Sequence, residues 1–173
     1  MAARKYGVLK SDNPTTTRMG KYFVYRCYDN PFHPTDPNNP KVWSLYLDDR
    51  CIKGGFYFSG GMVRQAMPPE MSPDQVPQMH DHVEYLAFLG TNPDDETDLG
   101  AEVEFFLDGE PHTITKTCVV MIPANTWHCP VIIKKVTRPF LFYSASDAPR
   151  LYEYRKRNPK GPNPKMAMVK YVD

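Results

Sequence analysis

The chain carries almost no net charge, and it is poor in glycine. Its 173 residues include 21 basic and 20 acidic side chains, a formal net charge of +1, and 10 glycines against 18 prolines. This balance gives no bulk field that would attract nucleic acid or a membrane surface. No apolar run approaches the roughly 18 residues of a membrane-spanning helix. Phosphate-loop and dinucleotide motifs are absent, which argues against ATP or NAD as a cofactor.

Cysteine is scarce, and its spacing does not indicate a disulfide framework. Cys27, Cys51, Cys118 and Cys129 form no C-x-x-C pair. The first residues also lack the apolar stretch of a secretory signal. We therefore expect reduced thiols and a cytoplasmic protein. Cys129 directly follows His128, and adjacent strand residues point to opposite faces of a sheet. We therefore expect Cys129 to have a structural role.

Aromatic residues and prolines are abundant. Aromatic residues make up 13% of the chain, which favours strands over helices. Eight or more short strands separated by turn signals predict an all-β sandwich or barrel with minor helix. They include a strand over residues 21–28, a strand or short helix over 42–47, and a hairpin that turns at 108–110.

Three of the five histidines fall in one constellation with a glutamate. Two of them, His80 and His82, precede Glu84 in the same segment. On a regular strand, alternate side chains share a face, so all three would point the same way as Leu86 and Phe88. Charge next to such apolar residues is costly unless it is paired or coordinated.

His128 is the fourth candidate ligand. Imidazole and carboxylate together suit Fe(II), Mn(II), Ni(II), Co(II) or Zn(II), so we predict a metal site formed by His80, His82, Glu84 and His128. Two other interpretations stay open at this point. The residues could form a buried polar network, or they could line the solvent-exposed face of an antiparallel strand.

The segment around these histidines resembles the first motif of the cupin superfamily, G-x5-H-x-H-x3,4-E-x6-G. His80-x-His82 is followed by Glu84, and Gly90 follows after five further residues. The spacing allows two alignments. With the histidine pair as anchor, Glu84 is displaced. With Glu84 and Gly90 as anchors, Gln78 and His80 occupy the ligand positions and His82 is additional.

The second cupin motif, G-x5-P-x-G-x2-H-x3-N, is matched at its centre by Pro123, Asn125 and His128. Asn125 stands in place of a glycine, and asparagine tolerates the left-handed conformation that glycine often supplies. The resemblance covers roughly residues 56–145 and implies a double-stranded β-helix, the jelly-roll barrel of the cupins.

The resemblance also implies an organisation of the chain. We expect residues 1–55 to form N-terminal strands and loops that pack on, or exchange with, the barrel edge. Residues 56–145 would form the barrel core, and residues 146–173 a basic C-terminal tail. Cupins commonly pair, and unpaired strand edges need covering, so we also expect a homodimer.

The predicted site and the resemblance together imply a metal-dependent enzyme that acts on a small aromatic or organic-acid substrate. One divalent transition metal (Fe, Mn, Zn or Ni) would support either dioxygenase chemistry or the Lewis-acid chemistry of isomerases and lyases. The alternative is a non-catalytic module that binds or senses a small ligand. Arg64 could pair with a substrate carboxylate, and Tyr57 could reach the cavity.

Overall fold

The computed structural model describes residues 11–12, 18–23, 26–27, 41–49, 51–67, 77–148, 156–157 and 169–170. Within these ranges the chain is almost entirely β-structure, which confirms the all-β prediction. Among the same residues, no helix is both long and apolar enough to cross a membrane.

The elements are β1 (Ser11–Asp12), η1 (Gly20–Tyr22), β2 (Arg26–Cys27), β3 (Lys41–Leu47), β4 (Phe58–Val63), β5 (Gln78–Met79), β6 (Glu84–Leu89), β7 (Asp98–Leu107), β8 (Glu110–Lys116), β9 (Cys118–Ile122), β10 (His128–Val136), β11 (Phe140–Ser146), β12 (Lys156–Arg157) and β13 (Val169–Lys170).

Two antiparallel sheets hold most of these strands. The larger has the order β13-β12-β5-β10-β7-β8, and the smaller has the order β3-β4-β11-β6-β9; β1 pairs with β2 alone. Buried side chains from both sheets belong to one hydrophobic core, for example Phe88 and Phe142 from the smaller sheet and Phe105 and Ile133 from the larger. The sheets therefore pack face to face, as in a double-sheet jelly roll.

Alternating burial in β6 and β11 defines the inner face of the smaller sheet. In β6 the buried residues are Glu84, Leu86 and Phe88, while Tyr85 is exposed. In β11 the buried residues are Phe140, Phe142, Ser144 and Ser146. This period of two is what a strand with one buried face requires. The inner face changes from apolar to polar along both strands, and the polar end carries Glu84.

The hairpin between β7 and β8 turns at Asp108-Gly109, as predicted. Both residues have positive φ, 50° and 82°, which is the conformation of the tight turns that connect twisted antiparallel strands. Glycine reaches this region without steric cost, and aspartate is among the residues that tolerate it. The local sequence alone therefore specifies this turn.

The N-terminal part of the chain differs from expectation. Residues 20–22 form the 3-10 helix η1 rather than a strand, with the Phe23 amide donating to the Gly20 carbonyl at 3.0 Å. Of the described residues in the expected strand over 21–28, only Arg26 and Cys27 form a strand. Tyr22 and Phe23 are exposed, so the aromatic composition that suggested a buried strand does not reflect burial. The second expected element, over 42–47, is the strand alternative and forms β3.

The termini contribute strands to both sheets. β3 is the edge strand of the smaller sheet and pairs with β4, while β12 pairs with β5 and with β13 at the edge of the larger. The division of the chain at residues 55 and 145 stays a prediction.

Candidate metal centre

The segment that carries His80 and His82 is not a regular strand. β5 ends at Met79 in the larger sheet, residues 81 and 82 form a bend, and β6 begins at Glu84 in the smaller sheet. The expectation that strand alternation aligns the two histidines with Glu84 is therefore wrong. The bend carries the chain from one sheet to the other, and this crossing places His80 beside Glu84.

His128 reaches the same place because β10 contains a bulge. In its pairing with β7, His128 lies opposite Leu107 and Val131 lies opposite Phe105, so β10 has one extra residue between these pairs. The bulge contains the cis peptide Cys129–Pro130 and a φ of 71° at Cys129. An extra residue reverses the alternation of a strand. His128 and Val131 are consequently both buried.

His80, Glu84 and His128 converge in the interior. Glu84 Oε2 lies 2.9 Å from His80 Nε2 and 3.2 Å from His128 Nε2. One donor atom from each residue lies within 4.8 Å of the others, and all three residues are buried. The backbone amide of Asn125 donates to the His80 carbonyl at 2.7 Å, which ties the loop before His128 to the bend. Asn125 has a φ of 61°, the left-handed conformation expected of it.

Backbone carbonyls determine the tautomer of both rings. His80 Nδ1 lies 2.7 Å from the His82 carbonyl oxygen, and His128 Nδ1 lies 3.0 Å from the Thr126 carbonyl oxygen. A carbonyl only accepts, so each Nδ1 carries the proton, and a neutral ring then has its lone pair on Nε2. This assignment follows from the hydrogen-bond network. Both Nε2 lone pairs face Glu84.

Three electron-pair donors therefore meet with no positive charge between them when the rings are neutral. Although His128 Nε2 lies close to the carboxylate, it is buried without a well-aligned hydrogen bond. Burial raises the pKa of the Glu84 carboxyl, but the contacts with His128 and His80 outweigh burial and hold that pKa below its ordinary value. The pocket thus favours a cation at its centre, either protons on the rings or a metal ion.

Ser144 holds the other oxygen of the same carboxylate. Its hydroxyl on β11 donates to Glu84 Oε1 at 2.5 Å, and both groups are buried. Sequence reasoning missed this residue. The sequence around it, Phe140-Leu-Phe-Tyr-Ser-Ala-Ser, contains the available signal: on a strand, Ser144 points to the same side as Phe140 and Phe142. A serine on an otherwise apolar, buried strand face indicates a polar partner on a neighbouring strand.

His82 lies beside the cluster and is not one of the three converging residues. Its ring is parallel to that of His80, with centroids 4.1 Å apart. Its Nδ1 lies 3.1 Å from Asp81 Oδ1, and its Nε2 is buried without a hydrogen-bond partner. Burial and the charge of His80 lower the pKa of His82, and the Asp81 carboxylate partly opposes them. Its role as a ligand stays a prediction.

Gln78, the alternative ligand at the start of the motif, also lies close by. It is buried and is the direct cross-strand partner of His128. Its Nε2 donates to Cys129 Sγ at 3.6 Å. Gly90, at the end of the motif, packs against the backbone of β7, because a Cβ there would collide with the Asp98 carbonyl oxygen.

The two candidate substrate-contacting residues differ in their surroundings. Tyr57 is buried, packs edge-on against Tyr46, and accepts the backbone amide of Ser146 at its own carbonyl. Since Ser146 is the cross-strand partner of Glu84, Tyr57 lies two strands from Glu84. Arg64 follows the last residue of β4 and is exposed. Both roles stay predictions.

An apolar groove elsewhere belongs to a different surface. It lies between η1 and the outer face of β3 and β4, and its lining residues are Tyr22, Phe23, Leu45, Tyr46, Leu47 and Phe58. Strand alternation places Leu45 and Leu47 on the face opposite to buried Tyr46 and Asp48. The groove is therefore separate from the cluster around Glu84.

Comparison with solved structures returns proteins of low identity. An oxalate oxidase in complex with glycolate is 11% identical over 86% of this chain and 73% of its own, with a TM-score of 0.47. A protein with a double-stranded β-helix domain from Klebsiella pneumoniae is 12% identical over 68% and 84%, with a TM-score of 0.39. A salicylate 1,2-dioxygenase variant from Pseudoaminobacter salicylatoxidans is 11% identical over 72% and 32%, with a TM-score of 0.43.

This chain matches less than two thirds of the length of several other solved chains, for example 55% and 62% in two further oxalate oxidase structures. No family model matches the sequence, and comparison with curated proteins gives no significant match. The oxalate oxidases, the salicylate dioxygenase and the double-stranded β-helix protein are members of the cupin superfamily, the family whose two motifs this chain resembles.

Proposed function

We propose that this protein is a metal-dependent enzyme that binds one divalent transition metal through His80 Nε2, Glu84 Oε2 and His128 Nε2. The observation that carries the proposal is the convergence of two imidazole lone pairs on a buried carboxylate oxygen. Ligating histidines usually donate their other ring N–H to a backbone carbonyl. His80 and His128 both do so.

The donor set matches sites that keep positions open for chemistry. Two histidines and one carboxylate hold iron in non-haem Fe(II) oxygenases and zinc in several hydrolytic enzymes. Iron, manganese, zinc and nickel all remain candidates on this donor chemistry. When bound, such an ion would supply either dioxygen activation or Lewis-acid polarisation of a carbonyl oxygen.

The chain's own groups have three tasks in this proposal. The carbonyls of His82 and Thr126 hold the rings in the ligating tautomer. The Ser144 hydroxyl orients the carboxylate. Leu86 and Ile122, both buried, follow and flank Glu84 on the inner face and keep bulk water away. An apolar surround with a few convergent polar groups suits a small organic molecule, so we propose an aromatic or organic-acid substrate.

Elemental analysis by plasma mass spectrometry tests the site. We expect close to one transition metal per chain in the purified protein and its loss in His128→Ala. His112→Ala is the matched control, because His112 is exposed on β8 and its loss should leave the metal content unchanged. Stoichiometric metal in His128→Ala would contradict the assignment.

The same measurement separates the enzyme from its alternative. A folded protein that stays metal-free after incubation with Fe(II), Mn(II), Zn(II) and Ni(II) would favour a non-catalytic binding or sensing module. If iron is present, oxygen consumption on addition of candidate organic acids would favour a dioxygenase. Turnover without oxygen uptake would favour isomerase or lyase chemistry.

A further inference from the structure

We infer that Ser144 is a positioning residue that makes Glu84 a one-oxygen ligand and thereby keeps a coordination position open. This inference rests on the proposed metal site and concerns the number of positions that the protein leaves free on the metal. It adds a residue from β11, a strand that carries none of the three proposed ligands.

The contact is short, buried and directional. Ser144 Oγ lies 2.5 Å from Glu84 Oε1, whereas both histidine nitrogens approach Oε2. An ionised carboxylate only accepts, so the serine hydroxyl is the donor. Hydrogen bonds from a hydroxyl to an ionised carboxylate are shorter and stronger than those between neutral groups. One oxygen of Glu84 is thus held by the protein, while the other faces the two rings.

The strand arrangement makes this contact rigid. β11 is the central strand of the smaller sheet, paired with β4 on one side and β6 on the other. Ser144 lies opposite Leu86, and Glu84 lies two register pairs further along on the same inward face. A site supported by packed strands holds its geometry better than one on loops. The hydroxyl therefore has little freedom to follow the carboxylate elsewhere.

The chemical consequence concerns coordination number. With Oε1 engaged by Ser144, the described residues offer three converging donor atoms: Oε2 of Glu84 and Nε2 of His80 and His128. Carboxylates can also bind a metal through both oxygens. Release of Oε1 would allow this mode, and the second oxygen would then take a position that substrate or dioxygen needs.

Ser146 offers a matched control on the same strand. It is also buried and faces inward, and its Cα is the direct register partner of Glu84. Its hydroxyl, however, accepts the backbone amide of Ala148 at 3.0 Å. The same Ser→Ala change two residues apart therefore removes a hydroxyl of the same size without touching the Ser144 contact.

Cobalt(II) is the probe for the experiment. We would load the wild type, Ser144→Ala and Ser146→Ala with Co(II), record visible absorption, and measure Co(II) affinity by chelator competition. We expect Ser144→Ala to lose about 10–100-fold in affinity, the usual effect of removing a group that orients a metal ligand, and to show the weaker absorption of a higher coordination number. Ser146→Ala should match the wild type. A Ser144→Ala spectrum and affinity equal to those of the wild type would overturn the inference.

A second measurement needs no variant and holds even if Ser144→Ala fails to fold. Infrared difference spectra of the metal-loaded minus the metal-free wild type report the splitting of the carboxylate stretches. A wide splitting, as in one-oxygen coordination, supports the inference, and a narrow splitting, as in two-oxygen coordination, overturns it. If the wild type binds no Co(II), the metal site itself is refuted and the inference falls with it.

Discussion

Replacing Glu84 by glutamine should destabilise the metal-free protein at pH 8 and abolish its response to metal. The contacts of the carboxylate with His128 and His80 hold the pKa of Glu84 below its ordinary value, so the fold favours the ionised carboxylate at that pH. Glutamine has the same shape and its carbonyl still accepts from Ser144, but it carries no charge. The substitution thus removes the charged partner of the two rings.

The magnitudes separate this outcome from its opposite. Removal of one partner from a buried, hydrogen-bonded pair costs about 3–5 kcal/mol, a fall of about 6–20 °C in Tm for a chain of this size. If the glutamine amide instead donated a new buried hydrogen bond to a ring nitrogen, it would add about 0.5–1.5 kcal/mol, a rise of about 1–6 °C. The two cases differ in sign.

The metal response is a separate readout. Metal at 100 times its Kd stabilises the folded state by about 2.7 kcal/mol, or about 5–11 °C in Tm. We expect this rise in the wild type and its loss in Glu84→Gln, measured by differential scanning calorimetry with EDTA and with added metal. Glu104→Gln is the control, because Glu104 pairs with Lys134 on the surface. A metal-free Glu84→Gln that is at least as stable as the wild type and still responds to metal would refute the reasoning.

Three further predictions concern pH, Gly90 and the oligomeric state. First, the destabilisation by Glu84→Gln should shrink in metal-free protein as pH falls below about 4.3, because the lowered pKa of Glu84 adds stability above that ordinary value that is lost below it; an unchanged difference would contradict this. Second, Gly90→Ala should cost about 1–3 kcal/mol, seen as a fall in urea midpoint, because its Cβ collides with the Asp98 carbonyl. Third, light scattering at micromolar concentration should give the mass of a dimer, because the exposed side chains of Tyr85 and Met121 lie side by side on the outer face of the smaller sheet. A monomer mass would refute the dimer.

Local patterns predicted the parts of the fold that depend on neighbours in sequence. The strand period of β6, the Asp108-Gly109 turn and the left-handed Asn125 each follow from residue types within a few positions. The 3-10 helix at residues 20–22 was missed for the same reason. Its aromatic residues have strand propensity, but propensity depends on packing against neighbours, and Tyr22 is exposed.

The geometry of the site depends on two irregularities that periodicity cannot show. The bend at residues 81–82 lets the chain leave one sheet and enter the other, so His80 and Glu84 meet across the interior rather than along a strand. The bulge after His128 adds one residue to β10 and reverses its alternation. An unbulged strand that buried Val131 would direct His128 outward. Both features arise from pairing between distant segments, which one sequence does not reveal.

The inner face of β6 explains how the proposed metal site and a stable core fit in so small a space. Glu84, Leu86 and Phe88 follow one another on that face, two residues and roughly 6.6 Å apart. Across β11 their register partners are Ser146, Ser144 and Phe142, so β6 changes from polar to apolar one row before β11 does. Leu86 and Ser144 form the boundary row. Ser144 turns its hydroxyl back to Glu84, and Leu86 begins the core that continues to Phe88 and Phe142. The proposed cation binding at one end can therefore vary while the apolar end, which stabilises the fold, stays unchanged.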